Sequence, residues 1–206
     1  MRIVKMLVAV GIVALALSCV PSLHPLFTAK DVTFDPTLVG TWSEKDKTDT
    51  WTFTKSGENA YGLVITEEGV PGKFEAHLVR LGEMLFLDLY PEEPDIKNTF
   101  YKIHLIPAHT FYRIWIDKEK DVVRIAGMNP DWLKENLDEK KITIAHERIG
   151  EDAGAGNIVL TAPTKDLQEF VVKHAADGFG EPGELHRQKT EAAVPKKDVE
   201  SAKPTP

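Results

Sequence analysis

The stretch from residue 50 to residue 90 reads TWTFTKSGENAYGLVITEEGVPGKFEAHLVRLGEMLFLDLY, and its period decides the fold. Trp51 and Phe53 alternate with Thr50, Thr52 and Thr54. Tyr61, Leu63 and Ile65 repeat the period, then Phe74, Ala76 and Leu78, then Leu85, Leu87 and Leu89. Side chains two apart in a strand share a face, so each run predicts a strand with one face toward a core. The breaks are turn-rich: Lys55-Ser56-Gly57-Glu58-Asn59, Glu68-Gly69-Val70-Pro71-Gly72 and Leu81-Gly82-Glu83. Connections this short join antiparallel neighbours, which makes Val39 to Tyr90 a β-meander.

Beyond it, Pro91-Glu92-Glu93-Pro94-Asp95 reads as an acidic loop. Ile103 to Ile106 and Phe111 to Ile116 are expected as strands, bent or broken at Pro107. The run Asp117 to Asp121 is a solvated hairpin tip leading into a strand over Val122 to Met128. Asn129-Pro130-Asp131 supplies a cap, a first-turn proline and an acid near the positive end of a helix expected to reach about Leu137. Ile142 to Ala145 and Ile158 to Leu160 read as two further strands. Thr164 is placed to cap a second helix, with Leu167, Phe170, Val171 and His174 on one face and Asp177-Gly178 at its end. Past Gly183 the hydrophobic period is lost, which predicts disorder. The sum is a mainly β chain: an antiparallel meander of about eight strands curved into a barrel or half-barrel, with two short helices late in the chain. Closure would remove the exposed edges that a long meander leaves.

The first nineteen residues follow a different rule. Arg2 and Lys5 precede twelve uncharged residues, Met6 to Leu17, and Ala16-Leu17-Ser18-Cys19 closes the segment. The run is short for a membrane span and has the order of a secretory signal. It resembles a bacterial lipoprotein signal, in which the cysteine becomes the first mature residue and carries lipid. Ala16 stands where that family usually has leucine, and Ala16-x-Ser18 also fits simple secretion. Cys19 is the chain's one cysteine, and acylation accounts for an otherwise unpaired thiol in an exported protein. The resemblance implies lipidation at Cys19 and a membrane as partner. Val20, in place of the aspartate that retains enteric lipoproteins in the inner membrane, points to the outer membrane, facing the periplasm. The expected organisation is a signal peptide over 1–18, a lipidated tether over 19–36, one mainly β domain over 37–180 and a disordered tail over 181–206.

Charge excludes several functions. The net charge is −7, and removing Arg2 and Lys5 leaves −9. The last twenty residues hold five Lys/Arg against three Asp/Glu, so residues 19–186 carry −11. A domain this acidic repels phosphate backbones, which argues against nucleic acid as a partner. With Cys19 committed, no disulfide forms, and burial must supply the stability.

Gly40-Thr41-Trp42 resembles the Gly-x-Trp at the first strand of the lipocalin and calycin superfamily. The resemblance implies a barrel whose floor the tryptophan closes and a late arginine packed across that tryptophan. Arg124, in the strand-like Val122-Val123-Arg124-Ile125, is the candidate. The family's central Thr-Asp-Tyr is absent. In a barrel, Trp51, Phe53, Tyr61, Phe74, Leu85 and Leu87 should point inward, joined by Phe111 and Trp115. Trp51, Phe53, Tyr61, Phe74, Phe111 and Trp115 are therefore the candidate ligand-binding residues. They either line an apolar pocket or fill the interior themselves.

No motif carries catalysis. The seven histidines lack metal-site spacing, and His104 and His109, either side of Pro107, fall on opposite strand faces unless a bulge intervenes. No serine sits in a Gly-x-Ser-x-Gly context. Asp88 among leucines is either an exposed residue on the outward parity or a buried acid with a raised pKa. No cofactor and no catalytic residue is predicted. The functional expectation is a non-enzymatic cell-envelope lipoprotein binding a small apolar ligand or supporting an envelope assembly with a protein partner. The alternative is a structural lipoprotein with a filled core that acts through protein–protein contacts.

Overall fold

The computed structural model describes residues 20–150 and 158–189. The signal segment with Cys19, and residues 190–206 of the expected tail, lie outside them.

Strands β1 (Val32–Thr33), β2 (Gly40–Ser43), β3 (Thr50–Lys55), β4 (Tyr61–Glu67), β5 (Val70–Leu81), β6 (Met84–Pro91), β7 (Thr110–Asp117) and β8 (Val122–Gly127) come first. They are followed by β9 (His146–Arg148), β10 (Ile158–Leu160) and β11 (Gly183–Arg187). Strands β2 to β8 pair each with the next, and β11 pairs antiparallel with both β8 and β2. The sheet is thus a closed eight-stranded antiparallel barrel. Strand β1 adds to β5 as a flap, and β9 and β10 form a separate ribbon. Among the described residues, three short helices complete the fold: α1 (Thr99–Lys102), α2 (Pro130–Asp138) and α3 (Thr164–Lys173).

Up-and-down topology sorts the connections by end. The links 44–49, 68–69, 92–109 and 128–182 share one end, here the mouth. The links 56–60, 82–83 and 118–121 share the other, the floor, with the 3-10 turn Pro36–Leu38 that enters β2.

The floor is a clasp around Trp42. Its Nε1 donates to Leu38 O at 2.8 Å, and the Arg187 guanidinium lies over its ring at 4.2 Å. Arg187 also donates to Val39 O at 2.8 Å, to Thr37 O at 2.5 Å and to Asp121 at 2.7 Å. Gly40 has φ +137°, and a Cβ there would collide with Arg187 Nη1. Beside the clasp, the Tyr61 hydroxyl accepts from Asp35 N and donates to Asp35 O; burial pushes its pKa up to about 12. The arginine expected across Trp42 is therefore Arg187. Arg124 lies instead over Trp115 on the outer wall, its ring 5.5 Å away.

Two cores result. The barrel interior holds Trp42, Phe53, Tyr61, Leu63, Leu78, Leu87, Tyr112, Ile125 and Leu185 among others. A second core forms outside the wall, where Val79, Phe86 and Phe111 meet residues of the segment after β8 (Leu133, Leu160, Leu167, Phe170, Val171) and Val20 and Leu26.

Several expectations change. Val20 to Pro36 is packed onto the barrel, with Val20, Ser22 and Leu26 buried, so the prolines there mark turns of a docked segment and not a tether. The domain runs past residue 180, because Gly183–Arg187 is the closing strand, held by neighbours on both sides. Residues 103–106 are not a strand: Asn98 Oδ1 accepts from Tyr101 N at 3.0 Å and starts a helical turn there. Thr164 does not cap α3; its hydroxyl donates to Pro25 O at 2.8 Å.

Arg187→Ala should lower stability by about 2–4 kcal/mol, since it orphans two carbonyls and the Trp42 face, and Arg187→Lys should recover only a minor part. Gly40→Ala should lose about 1–3 kcal/mol through its backbone and the clash. Urea unfolding monitored by tryptophan fluorescence checks both.

Candidate functional site

The six candidate ligand residues separate into two groups. Trp51, Phe53 and Tyr61 point into the barrel and are buried, and Phe74 packs half-buried against them near the mouth. Phe111 and Trp115 do not join them: Tyr112 and Ile114 take the inward parity of β7, leaving Phe111 in the outer core and Trp115 on the outer wall. There the Trp115 ring lies under Arg113, at 4.6 Å, and near Arg124.

The interior is filled across its diameter. Strands β3 and β7 stand four places apart in a ring of eight, so they face each other. Trp51 on one meets Tyr112 on the other edge to face, with centroids 5.8 Å apart and planes at 85°. Both residues lie toward the mouth ends of their strands. Beneath them Phe53 and Tyr61 make a second edge-to-face pair at 5.9 Å, and Tyr61 stacks on Phe34. Two clefts of about 470 and 440 Å³ are open to solvent, one beside Trp115 with Arg113, Lys118 and Arg124, the other along residues 43–47. Their charged linings suit polar groups better than an apolar ligand.

On the outer wall His77 of β5, Asp88 of β6 and His109, the residue just before β7, form a row on the face opposite the leucines. Of its two readings as an exposed or a buried acid, Asp88 takes the buried one, because the segment 20–28 covers it. Its Oδ2 accepts from Leu26 N at 2.7 Å, and its Oδ1 faces His109 Nδ1 at 2.7 Å. Phe27 packs on the His77 ring at 4.2 Å, and Tyr90 on the His109 ring at 4.5 Å. Ser22 and His109 exchange backbone hydrogen bonds of 2.8 Å, and Gln168 Nε2 donates to Leu26 O at 2.9 Å.

A carboxylate that orients a histidine is two-thirds of a nucleophile relay. Ser22, whose backbone bridges to His109, does not supply the third part: its hydroxyl donates to His24 O at 2.8 Å. Among the described residues no three His, Cys, Asp or Glu converge on a metal position. The row works as a latch, tying the N-terminal segment to the wall through a buried carboxylate. Sequence pattern missed it because its partner is a backbone N–H sixty-two residues away.

The mouth carries one conspicuous surface. Between β6 and β7, Phe100, Tyr101, Ile103, Leu105 and Ile106 are all exposed, Phe100 and Ile106 by about three quarters. Comparison with protein-family models, with curated proteins and with solved structures gives no match for this chain.

Burial holds the His77 pKa below the ordinary imidazole value; the nearby Glu75 and Asp88 oppose this, and His109 reinforces it. Burial lowers His174 as well, against the pull of Asp177. Both rings therefore hold a proton less readily in the fold than in the unfolded chain, which takes up protons below about pH 6.5, so stability falls as pH drops below that value. Urea midpoints between about pH 7.5 and 5.5 should decline by at most about 1.4 kcal/mol per pH unit for each histidine, and His77→Phe should flatten the slope.

Proposed function

We propose that this chain is an exported cell-envelope lipoprotein, held to a membrane by acyl chains on Cys19, whose filled barrel acts through its outer surface on envelope partners. The observation that carries the second half is the Trp51–Tyr112 contact, which occupies the span where a calycin-like barrel would hold a ligand. The first half rests on Arg2, Lys5, the apolar run and Ala16-Leu17-Ser18-Cys19. The packing of Val20 onward supports it further: a lipid on Cys19 would hold the body close to the membrane instead of on a leash. Several acyl chains on one residue give stable anchoring where a single chain does not.

Kinship with the calycins is part of this reading. Gly40, Trp42 and Arg187 supply the glycine, the floor tryptophan and the late arginine across it, in an eight-stranded barrel. Use of the Asp88–His109 pair as a latch favours a non-catalytic role. A shallow apolar site at the mouth is the second reading, favoured by Ile65 and Phe74, which stay half-buried there.

Native mass spectrometry of the intact chain, extracted from membranes of a host that processes lipoproteins, tests both halves. The expected species begins at Cys19, carries acyl mass on that residue and holds no further lipid-like molecule. A bare Cys19 would remove the anchor, and a lipid that dissociates in the gas phase would return the function to ligand binding.

A further inference from the structure

Building on the anchored reading, we propose that the mouth loop Phe100–Ile106 inserts into the same bilayer that holds Cys19, making the membrane contact two-point and fixing the barrel's orientation.

The loop exposes Phe100, Tyr101, Ile103, Leu105 and Ile106 within seven residues, although the domain beside it has two well-packed cores. It is built to present them. Asn98 caps the turn, Ile103 N donates to Thr99 O, His104 N to Tyr101 O and Leu105 N to Lys102 O. With the N–H groups of residues 101 to 105 bonded within the turn, the side chains there can enter an apolar phase at reduced backbone cost. Aromatic and branched aliphatic side chains with flanking cations are the composition of interfacial membrane elements. From Thr99 to Pro107 the only ionisable side chains besides Tyr101 are Lys102 and His104, and Lys102 reaches back to pair with Glu93 of the preceding acidic stretch. Two short mouth links are unlike it. Residues 44–49 hold Glu44, Lys45, Asp46, Lys47 and Asp49, and the 68–69 turn is flanked by Glu67 and exposed Val70.

Chain continuity identifies the occupant. Ser22 pairs with His109 in an antiparallel bridge. Cys19 lies three residues before Ser22 and Ile106 three before His109, so each is within about 11 Å of that bridge along the chain. With the bridge itself about 5 Å wide, the anchor and the loop tip are at most about 27 Å apart. Leu23, the residue after the bridging Ser22, is exposed as well. A bilayer gripping Cys19 is thus the apolar phase nearest to the loop. The mouth links 44–49 and 68–69, being charged, would stay in water, so insertion is lateral and leaves the barrel tilted.

The test places a fluorophore at Ile103→Cys in the acylated chain, whose Cys19 thiol is blocked, and reconstitutes it in phosphatidylethanolamine/phosphatidylglycerol vesicles. Glu119→Cys, in the floor turn, is the control. Emission from position 103 should shift to the blue and be quenched by doxyl-labelled lipid, while position 119 responds only to a water-soluble quencher. Adding Phe100→Ser and Ile106→Ser, both surface changes, should return position 103 to its aqueous spectrum without altering the unfolding midpoint. An aqueous spectrum at 103 in the acylated chain overturns the inference. So does shielding at 103 that lipid quenchers do not reach, which would mean a second copy or an uncleaved Met6–Leu17 run covers the loop. The mass of the same sample reads the anchor separately: an unacylated Cys19 with a lipid-quenched probe removes the anchor and leaves the inserted loop standing.

Discussion

Trp51 and Tyr112 meet across the diameter of the barrel, and that contact constrains everything the molecule can do. An aromatic pair in edge-to-face geometry adds about 0.5–1.5 kcal/mol to the burial of its area, so opening the interior to a ligand would forfeit it. Phe53, Tyr61 and Phe34 continue the packing toward the floor. With its interior given to its own side chains, the fold offers its outer wall, its surface clefts and its mouth loops to other molecules.

Such an interior needs a closed sheet, and closure depends on a short strand far along the chain. Strand β11 has five residues, of which Leu185 is the one large apolar side chain. Apolar burial alone gives it little hold. Arg187 supplies the rest: its guanidinium spans Trp42, two carbonyls of the entering turn and Asp121 across the floor. Gly40 is the concession that lets the guanidinium come so close. The outer wall uses the same logic with opposite charge, where buried Asp88 gathers the Leu26 N–H and His109.

The meander was legible because one face of each strand from β3 to β6 alternates cleanly over residues 50–90. The same rule failed on β7. Phe111, Tyr112, Ile114, Trp115 and Ile116 leave no alternation, because the segment after β8 covers part of the outer face too; a strand apolar on both faces does not reveal its parity. Asp88 looked like a solvent residue for the complementary reason: parity placed it outside the barrel, and nothing local shows that residues 20–28 come back to cover that side. Strand β11 was unreadable, since Glu184, His186 and Arg187 around Leu185 look like the start of a polar tail and only pairing on both sides makes them a strand. The floor arginine was sought in the wrong strand for that reason. The two late helices were foreseen, Asn129 capping α2 as its position suggests.

A filled barrel, an N-terminal segment stitched to its wall and an apolar loop on the same side as that segment's start are the features on which the proposed seat against a membrane rests. The account stands or falls on the interior being occupied. The most direct measurement is a double-mutant cycle on the intact chain: Trp51→Leu, Tyr112→Leu and the pair, each followed by urea unfolding. The account predicts a coupling energy of about 0.5–1.5 kcal/mol between two residues on opposite walls. Strict additivity, within about 0.3 kcal/mol, would mean that the rings do not meet and that the barrel has room for a guest.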